Sequence, residues 1–588
     1  MDAWIEVDGS GQLQALLLAD PNGENQQTLH LRPGFHVVDR DVVVPSGVDL
    51  RFDRGAVLRG RGQLIVHGRI VAAAAPIFDV ASGLTVRWVG RRTPEVYPQW
   101  WGAVGNGVDR DGAALAAMAD SIRGDGPSVV VFRAGIYMLE RTIALPSGKR
   151  YLAEGAEGDV VLRRHNDAPT EVALCSCGSA SGDAPSRVTF RRLTFDGAQG
   201  TGALLQIVKA PMVDIECIVQ GCGFTATHGA AVDGVGGPTL TLDGCACAGC
   251  EYALRLDAAV ARVSIDRLKS TAGSGQVAVG PGVVTISDSE LNGRISVKGT
   301  ERGELRIADS TFAGLDVDLP DGRIGVNRSR LRSLRGLAPT ASIAAARQVI
   351  LQGCQIEPPA TPVGQAGVTV RWAPEADGAV LIDGCALGTE SAGHGRPAII
   401  VVDGKGGDRR VDVVASSIGR GFKRAAEVTG ARVSFRQVEL QCTEGFRLAR
   451  AHDGTAPTLR VASVQVMPVG SDGPGAYLRL VSSASTDGGP FVLQHDDVVL
   501  ETTFNIIEAG GDELEMLDCV GGRELRGPPG ERDARPHGLS GLRGDVFRPQ
   551  NLLQTSPEWP TEWWCVRSGV GYAAVWQPVF QRPPAARV

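Results

Sequence analysis

From Val188 to Val466 the chain repeats one short phrase, apolar-x-apolar-x-x-(Cys, Ser, Leu or Val)-x-apolar. That repetition constrains the fold more than anything else in the sequence. It reads VTFRRLTF from Val188, CIVQGCGF from Cys217, LTLDGCAC from Leu240 and VSIDRLKS from Val263. VTISDSEL, LRIADSTF, IGVNRSRL and VILQGCQI start at Val284, Leu305, Ile324 and Val349. VLIDGCAL, VDVVASSI, VSFRQVEL and LRVASVQV start at Val380, Val411, Val433 and Leu459. Starts recur at intervals of roughly 19 to 31 residues, a loose period near one turn of a solenoid. The first and third positions are apolar or Cys in every copy, although only 43% of the chain is hydrophobic. These are structural columns.

The period inside each phrase is two, so the first and third side chains share one face of a strand and the second faces away. Two residues then break the strand, and a second short strand brings the Cys/Ser position inward. Too few residues separate one phrase from the next for a crossover helix with its two turns. The economical solution is a coil of short strands stacked on the next coil at about 4.8 Å, with like side chains in columns. The fold class expected is all-β, a right-handed parallel β-helix; an antiparallel sandwich would not repeat at this spacing.

At 588 residues the chain exceeds one ordinary domain, but a solenoid grows without that limit because each coil touches only its neighbours. The 77 glycines suit several tight turns per coil. The net charge of -7, with no basic, aromatic-interleaved patch, argues against nucleic acid. The start, MDAWIEVDGS, has no basic n-region, and the apolar run Ala15 to Ala19 is too short for a signal peptide or a membrane span. Twelve cysteines suggest thiols and not a disulfide framework. Cys222, Cys245, Cys354 and Cys385 share one inward column as small buried hydrophobes. Cys245, Cys247 and Cys250 lack a fourth ligand at zinc-site spacing.

In chain order, residues 1–92 read as an N-terminal β cap or docking module with strand-like alternation between turns. Residues 93–520 read as the β-helix, 521–541 as a polar Pro/Gly-rich linker, and 542–588 as a small β module. Four of the nine Trp (Trp559, Trp563, Trp564, Trp576) lie in that last module, where so small a domain needs them for a core.

The segment VYPQWWGAVGNGVDRDGAAL from Val96, then a helical run and VVVFRAGIYML, carries a more specific signal. Its order W-G-A-x-G-x-G, helix, then a strand with F-x-x-G-x-Y resembles the entry segment of the pectate-lyase-like β-helix superfamily, bacteriophage tailspike type. That superfamily includes tailspikes and bacterial polysaccharide-degrading enzymes. Asn106, Arg110 and Gly112 stand where its loop usually has Asp, Asp and Thr, and Asp111 is expected to cap the helix starting near Gly112. That helix is expected to plug the open end of the solenoid and cover its strand edges. The carboxyl module is similar to small β modules of phage tail proteins. The resemblance implies a tailspike-like protein that binds and depolymerises a bacterial surface polysaccharide, as glycoside hydrolase or polysaccharide lyase. It also implies a homotrimer, attachment to a tail or other assembly through the N-terminus, and a virion-tail or extracellular location. A non-catalytic receptor-binding or structural spike is the rival from another class, and a secreted bacterial glycan-degrading enzyme is the third.

The superfamily shares no active-site motif, so candidate residues come from the columns. The order of elements argues against a polygalacturonase-type set: Gly393-His394-Gly395 precedes the lone Asp496-Asp497, and its other elements are missing. The fifth position of successive phrases reads Arg267, Asp288, Asp309, Arg328, and the seventh adds Lys269, Glu290 and Arg330. Stacked carboxylates about 5 Å apart suit a retaining glycosidase, and groups two coils apart an inverting one. Asp with a neighbouring Arg also suits β-elimination, the one route that would call for a cofactor, Ca2+. We therefore take Asp288, Asp309 and Glu290 as catalytic candidates, with Arg267, Arg328, Trp372 and Tyr252 as sugar-binding candidates. The competing explanation is a self-compensating surface ladder of Asp turn residues and Arg neighbours. Asp243 over Asp266 forms a second, weaker stack, and His228 reads as a loop residue.

Overall fold

A computed structural model describes residues 3–8, 12–19, 26–155, 159–178, 186–209, 214–256, 262–271, 275–299, 302–332, 341–357, 366–372, 378–388, 394–402, 409–419, 422–442, 444–451, 455–466, 476–481, 490–501, 505–508, 517–520, 523–526, 546–548, 562–567 and 575–579. They form a right-handed parallel β-helix. The chain divides into two units, Met1–Gly293 and Arg294–Val588.

The first unit opens with coils of its own. Gln27–Leu31, Val48–Phe52 and Arg69–Val71 pair in parallel, as do Val42–Val44, Gln63–Val66 and Thr85–Trp88. Alternation sets their inward faces: Leu29, Leu31, Val48, Leu50, Leu64 and Val66 are fully buried. Helix α1 (Gln12–Ala19) buries Leu13 and Leu17. Helix α2 (Gly112–Ser121) buries Ala114, Leu115, Met118 and Ala119 and packs against Thr85–Trp88 and Ile143–Pro146.

The capping expected of Asp111 does not occur. Its carboxylate turns away from α2 and accepts the amides of Val104 (2.6 Å), Gly105 (3.3 Å) and Met138 (3.1 Å). Three backbone donors, two of them buried, hold the charge away from the helix end. Burial nonetheless pushes the Asp111 carboxyl up, more than these amides pull it down. The first amide of α2, at Gly112, is capped instead by Glu140 Oε2 at 3.1 Å.

The repeat columns are realised as continuous ladders. In the first unit Val188, Cys217, Leu240, Val263 and Val284 follow one another in register, as do Phe190, Val219, Leu242, Ile265 and Ile286. In the second unit the ladders run through Leu305, Ile324, Val349, Val380, Val411, Val433 and Leu459, and through Ile307, Val326, Leu351, Ile382, Val413, Phe435 and Val461. Every member is at most 2% exposed.

The coils also extend past the recognised phrases. Arg150–Ala153 precedes the first phrase and Phe491–Glu501 follows the last. In the latter, His495 takes the third position, pairing with Val461 in register, and its Nε2 lies 2.9 Å from the Tyr477 hydroxyl. Arg523–Arg526, in the stretch expected to be a linker, is a strand paired with Val498–Glu501. Of the carboxyl module, Val546–Arg548, Glu562–Arg567 and Val575–Val579 form antiparallel pairs. The rest of that module and most of the expected linker lie outside the described residues.

The fifth position of all twelve phrases is left-handed. It is Gly221, Gly244, Gly353 and Gly384 in four copies, and elsewhere Arg192, Arg267, Asp288, Asp309, Arg328, Ala415, Gln437 and Ser463, with φ between 45° and 61°. One such residue turns the corner of each coil. The sixth position is then buried, and in eight of the twelve phrases it is Ser or Cys for a definite reason. Ser289 Oγ accepts the Leu268 amide of the preceding coil at 3.1 Å and donates to Ser287 O at 2.7 Å. Ser329 does the same for Ser310, and Ser416 for Cys385. A small side chain with a lone pair satisfies an amide the corner would otherwise strand.

Candidate functional site

Arg267 and Asp288 are the exposed corners of adjacent coils in the first unit, and Asp309 and Arg328 are those of adjacent coils in the second. Aspartate tolerates the left-handed conformation because its short side chain bonds locally, which explains its presence at two corners. Arg328 grips Asp309 through both nitrogens, at 2.8 and 2.6 Å, and holds the Asp309 carboxyl below the usual carboxylate range. Arg267 reaches back to Asp243 and also lies 3.2 Å from Asp266 Oδ2; the bond to Asp243 raises its own pKa. Asp243 and Asp266 face each other in register, and Ser287 Oγ donates to Asp266 at 2.8 Å. Glu290 is exposed and bridges in parallel with Lys269.

The sugar-binding candidate Trp372 is not where a stacking platform requires it. Trp372 is only 6% exposed, so neither ring face is open to a sugar; the apolar strand Val368–Arg371 beside it carries the indole inward. Tyr252 is half-buried in register with Ala230 and Gln276, outside the phrase columns, and the Arg255 guanidinium lies 5.8 Å from its ring centre. His228 is exposed within the strand Gly223–Val235, not in a loop. The 31-residue intervals before Val380 and Val411 leave room for loops that build a groove wall; residues 358–365, 373–377, 389–393 and 403–408 within them lie outside the described residues.

A site that the columns did not reveal lies on the outward face of the first unit's phrase strands. A cleft of about 470 Å³ is lined by Arg150, Arg187, Thr189, Ile218 and Gln220 among others. A second, of about 340 Å³, shares Gln220 and is lined by Arg191, Arg192, Asp243 and Arg267, with Gly221 and Gly244. The register explains the set. Arg150, Thr189 and Ile218 form one outward column, and Arg191, Gln220, Asp243 and Asp266 the next. Two glycine corners in succession, Gly221 and Gly244, leave open the space between the Arg192 and Arg267 corners. The cleft therefore grades from guanidinium groups at one end to the Asp243 carboxylate, paired with Arg267, at the other.

Charge compensation along it is uneven. Arg187 pairs with Glu216 at 3.4 Å and Arg267 with the two aspartates. Arg192 donates to the Gly155 carbonyl at 3.3 Å. Arg150 and Arg191, both exposed, have no carboxylate partner among the described residues. Also among the described residues, no group of three or more His, Cys, Asp or Glu side chains is arranged to hold a metal ion. Among the described residues, eleven cysteines, including Cys245, Cys247 and Cys250, are buried free thiols. Burial pushes Cys175, Cys177 and Cys442 up to about 12.

No protein-family model matches the chain, and no curated protein matches it. Among solved structures it is similar to tailspike protein 3 of bacteriophage CBA120, at 13% identity and a TM-score of 0.42 over 82% of this chain and 68% of that one. The tailspike protein gp49 of Pseudomonas phage LKA1 aligns at 14% identity and a TM-score of 0.36, over 71% and 84% respectively. The A-module of the mannuronan C-5 epimerase AlgE4 of Azotobacter vinelandii aligns at 13% identity and 0.27, over 71% and 98%. These are likenesses of fold.

Proposed function

We propose that this chain is a tailspike-like protein that binds a bacterial surface polysaccharide along the outward face of its coils. The observation that carries the reading is the double cleft across Thr189, Ile218 and Gln220. It is a long, shallow surface with hydroxyl, amide and guanidinium donors on a rigid sheet, suited to an extended hydroxyl-rich polymer. The entry segment from Val96 supports the same reading by its resemblance to β-helix glycan proteins.

Cleavage is the finer part of the proposal. Asp288, Glu290 and Asp309 are the carboxylates assigned to it, as acid and base in hydrolysis or as base in β-elimination. Arg267, Arg328 and Tyr252 are assigned to sugar contacts. One observation favours a spike that binds without cutting: Arg328 holds Asp309, and Arg267 holds Asp243 and Asp266, so these carboxylates already have partners.

Incubation with capsule and lipopolysaccharide preparations separates the readings. Retention of glycan with new reducing ends marks a hydrolase, new absorbance from unsaturated uronates marks a lyase, and retention with neither marks a binding spike. Failure to retain any surface glycan would overturn the proposal. A virion-tail or extracellular location, tail attachment and a homotrimer belong to it as well. Among the described residues no helix is long and apolar enough to cross a membrane. Light scattering is expected to return three times the 61.6 kDa chain mass, and a monomer mass at micromolar concentration would remove the trimer.

A further inference from the structure

We infer that the ligand of the double cleft is an anionic polysaccharide, recognised through its carboxylate, phosphate or sulfate groups by Arg150, Arg191 and Arg192. The inference rests on the polysaccharide reading above and names its substrate class. Its first support is the contrast between cleft and chain. The whole chain carries a net charge of -7, yet five arginines line the two connected clefts and Asp243 is the one carboxylate lining them. A concave surface of one sign within a chain of the other focuses the field on the ligand and not on solvent.

Its second support is the bonding of those arginines. Arg187 and Arg267 serve the protein, through Glu216 and through Asp243 with Asp266. Arg150 and Arg191 have no carboxylate partner among the described residues, and Arg192 donates to a single carbonyl. Three guanidinium groups on neighbouring strand positions repel, and no carboxylate among the described residues pairs with any of the three; an anionic ligand would offset that repulsion. Guanidinium is also the side chain whose paired N–H groups match a carboxylate or phosphate edge.

Placement adds a third. Arg150 stands in register with Thr189, and Arg191 lies two residues farther along that same strand. The two Cα atoms are thus offset by one coil and two residues, roughly 8 Å by strand geometry. The floor between them is Thr189 and Ile218, which offers a hydroxyl and an apolar patch to the two kinds of surface a sugar ring presents. The lining of neither cleft includes an aromatic side chain. That disfavours a single-stranded nucleic acid, which such grooves hold by stacking its bases on aromatic rings.

The test is binding to a panel of named probes by calorimetry at low and at physiological salt. The panel contains polygalacturonate, alginate, polysialic acid and poly(glycerol phosphate), with dextran and pullulan as neutral glycans and oligo-dT as a nucleic acid. The expected result is binding to one or more anionic glycans, weakened by salt. The exposed double variant Arg150→Ala/Arg191→Ala should weaken it at least about tenfold, on the scale of losing charge-assisted hydrogen bonds. Arg91→Ala, which breaks an exposed pair with Asp125 outside the cleft lining, should leave it unchanged. Binding of neutral glycans alone, or anionic binding untouched by the double variant, overturns this inference while the polysaccharide reading stands. Binding of no glycan overturns both, and tighter binding of oligo-dT with the same arginine dependence replaces the ligand with a nucleic acid.

Discussion

The left-handed corner of each coil makes a prediction whose sign is opposite at two neighbouring positions. Ala415 occupies the corner with φ 47°, is exposed, and follows Gly384, φ 58°, at the corner of the preceding coil. A residue with a Cβ in this conformation costs about 1–2 kcal/mol relative to its preferred backbone. Glycine avoids that cost but loses about 0.5–1 kcal/mol more conformational freedom on folding. Ala415→Gly should therefore stabilise the protein by about 0.5–1 kcal/mol. Gly384→Ala should destabilise it by a similar amount. The nearest heavy atom to a Cβ added at Gly384 is Gly353 N at 3.9 Å, an ordinary contact, so strain and not a clash sets the effect. Ala144→Gly, at an exposed strand position with ordinary backbone, is the control and should destabilise by about 0.5–1 kcal/mol. Denaturant midpoints at fixed slope read the three changes. Destabilisation by Ala415→Gly together with stabilisation by Gly384→Ala would refute the corner assignment and the coil register with it.

The other expectations concern the core, the carboxylates and one buried amine. Ile286 and Ile307 are 1% exposed and Val326 is fully buried, so truncation of either isoleucine to Ala should cost about 2–5 kcal/mol, and Val326→Ala somewhat less; a change within error in the denaturant midpoint would contradict the ladders. If the protein cleaves its glycan, Asp288→Asn and Asp309→Asn should each lower turnover at least about a hundredfold with the unfolding midpoint nearly unchanged, since both side chains are exposed; loss of activity and stability together would make them corner ladder residues only. Lys149 is 3% exposed, and its Nζ donates to Gly124 O at 2.8 Å and Gly126 O at 3.2 Å. Burial lowers its pKa from 10.5 to about 8, so the unfolded chain binds the extra proton between those values and this group adds stability as pH rises through that window. Lys149→Met should abolish that part of the pH dependence, and an unchanged profile would contradict it.

The columns were legible because burial in a coil imposes two-residue alternation and stacking repeats it, so Val188, Cys217 and Leu240 read as one line from their spacing and residue type. The ends of the ladder were harder to read. His495 fills an apolar position by lying against Tyr477, and a search for apolar residues passes over it. The corner was visible as a break, and its frequent Gly and Asp gave its chemistry, but Arg192, Ala415 and Gln437 carry no such mark. Asp111 misled because a helix-capping residue and a backbone-amide acceptor look alike in sequence; the Met138 amide it binds comes from a strand beyond the helix. Trp372 misled because exposure is a property of the packed coil and not of residue type. The cleft was illegible for a geometric reason. Arg150 belongs to a coil before the first recognised phrase, and its alignment with Thr189 and Ile218 depends on register across loops of unequal length. A signal was available in the adjacent Arg191 and Arg192 followed by the Gly221 and Gly244 corners, once the fifth position is known to face outward.

The most direct measurement of the central claim is a crystal structure with an oligosaccharide cut from the retained surface glycan. The account predicts sugar rings lying across Thr189, Ile218 and Gln220, with acidic groups within hydrogen-bond distance of Arg150 or Arg191. Ordered sugar bound elsewhere on the coils, with this cleft empty at saturating ligand, would contradict it.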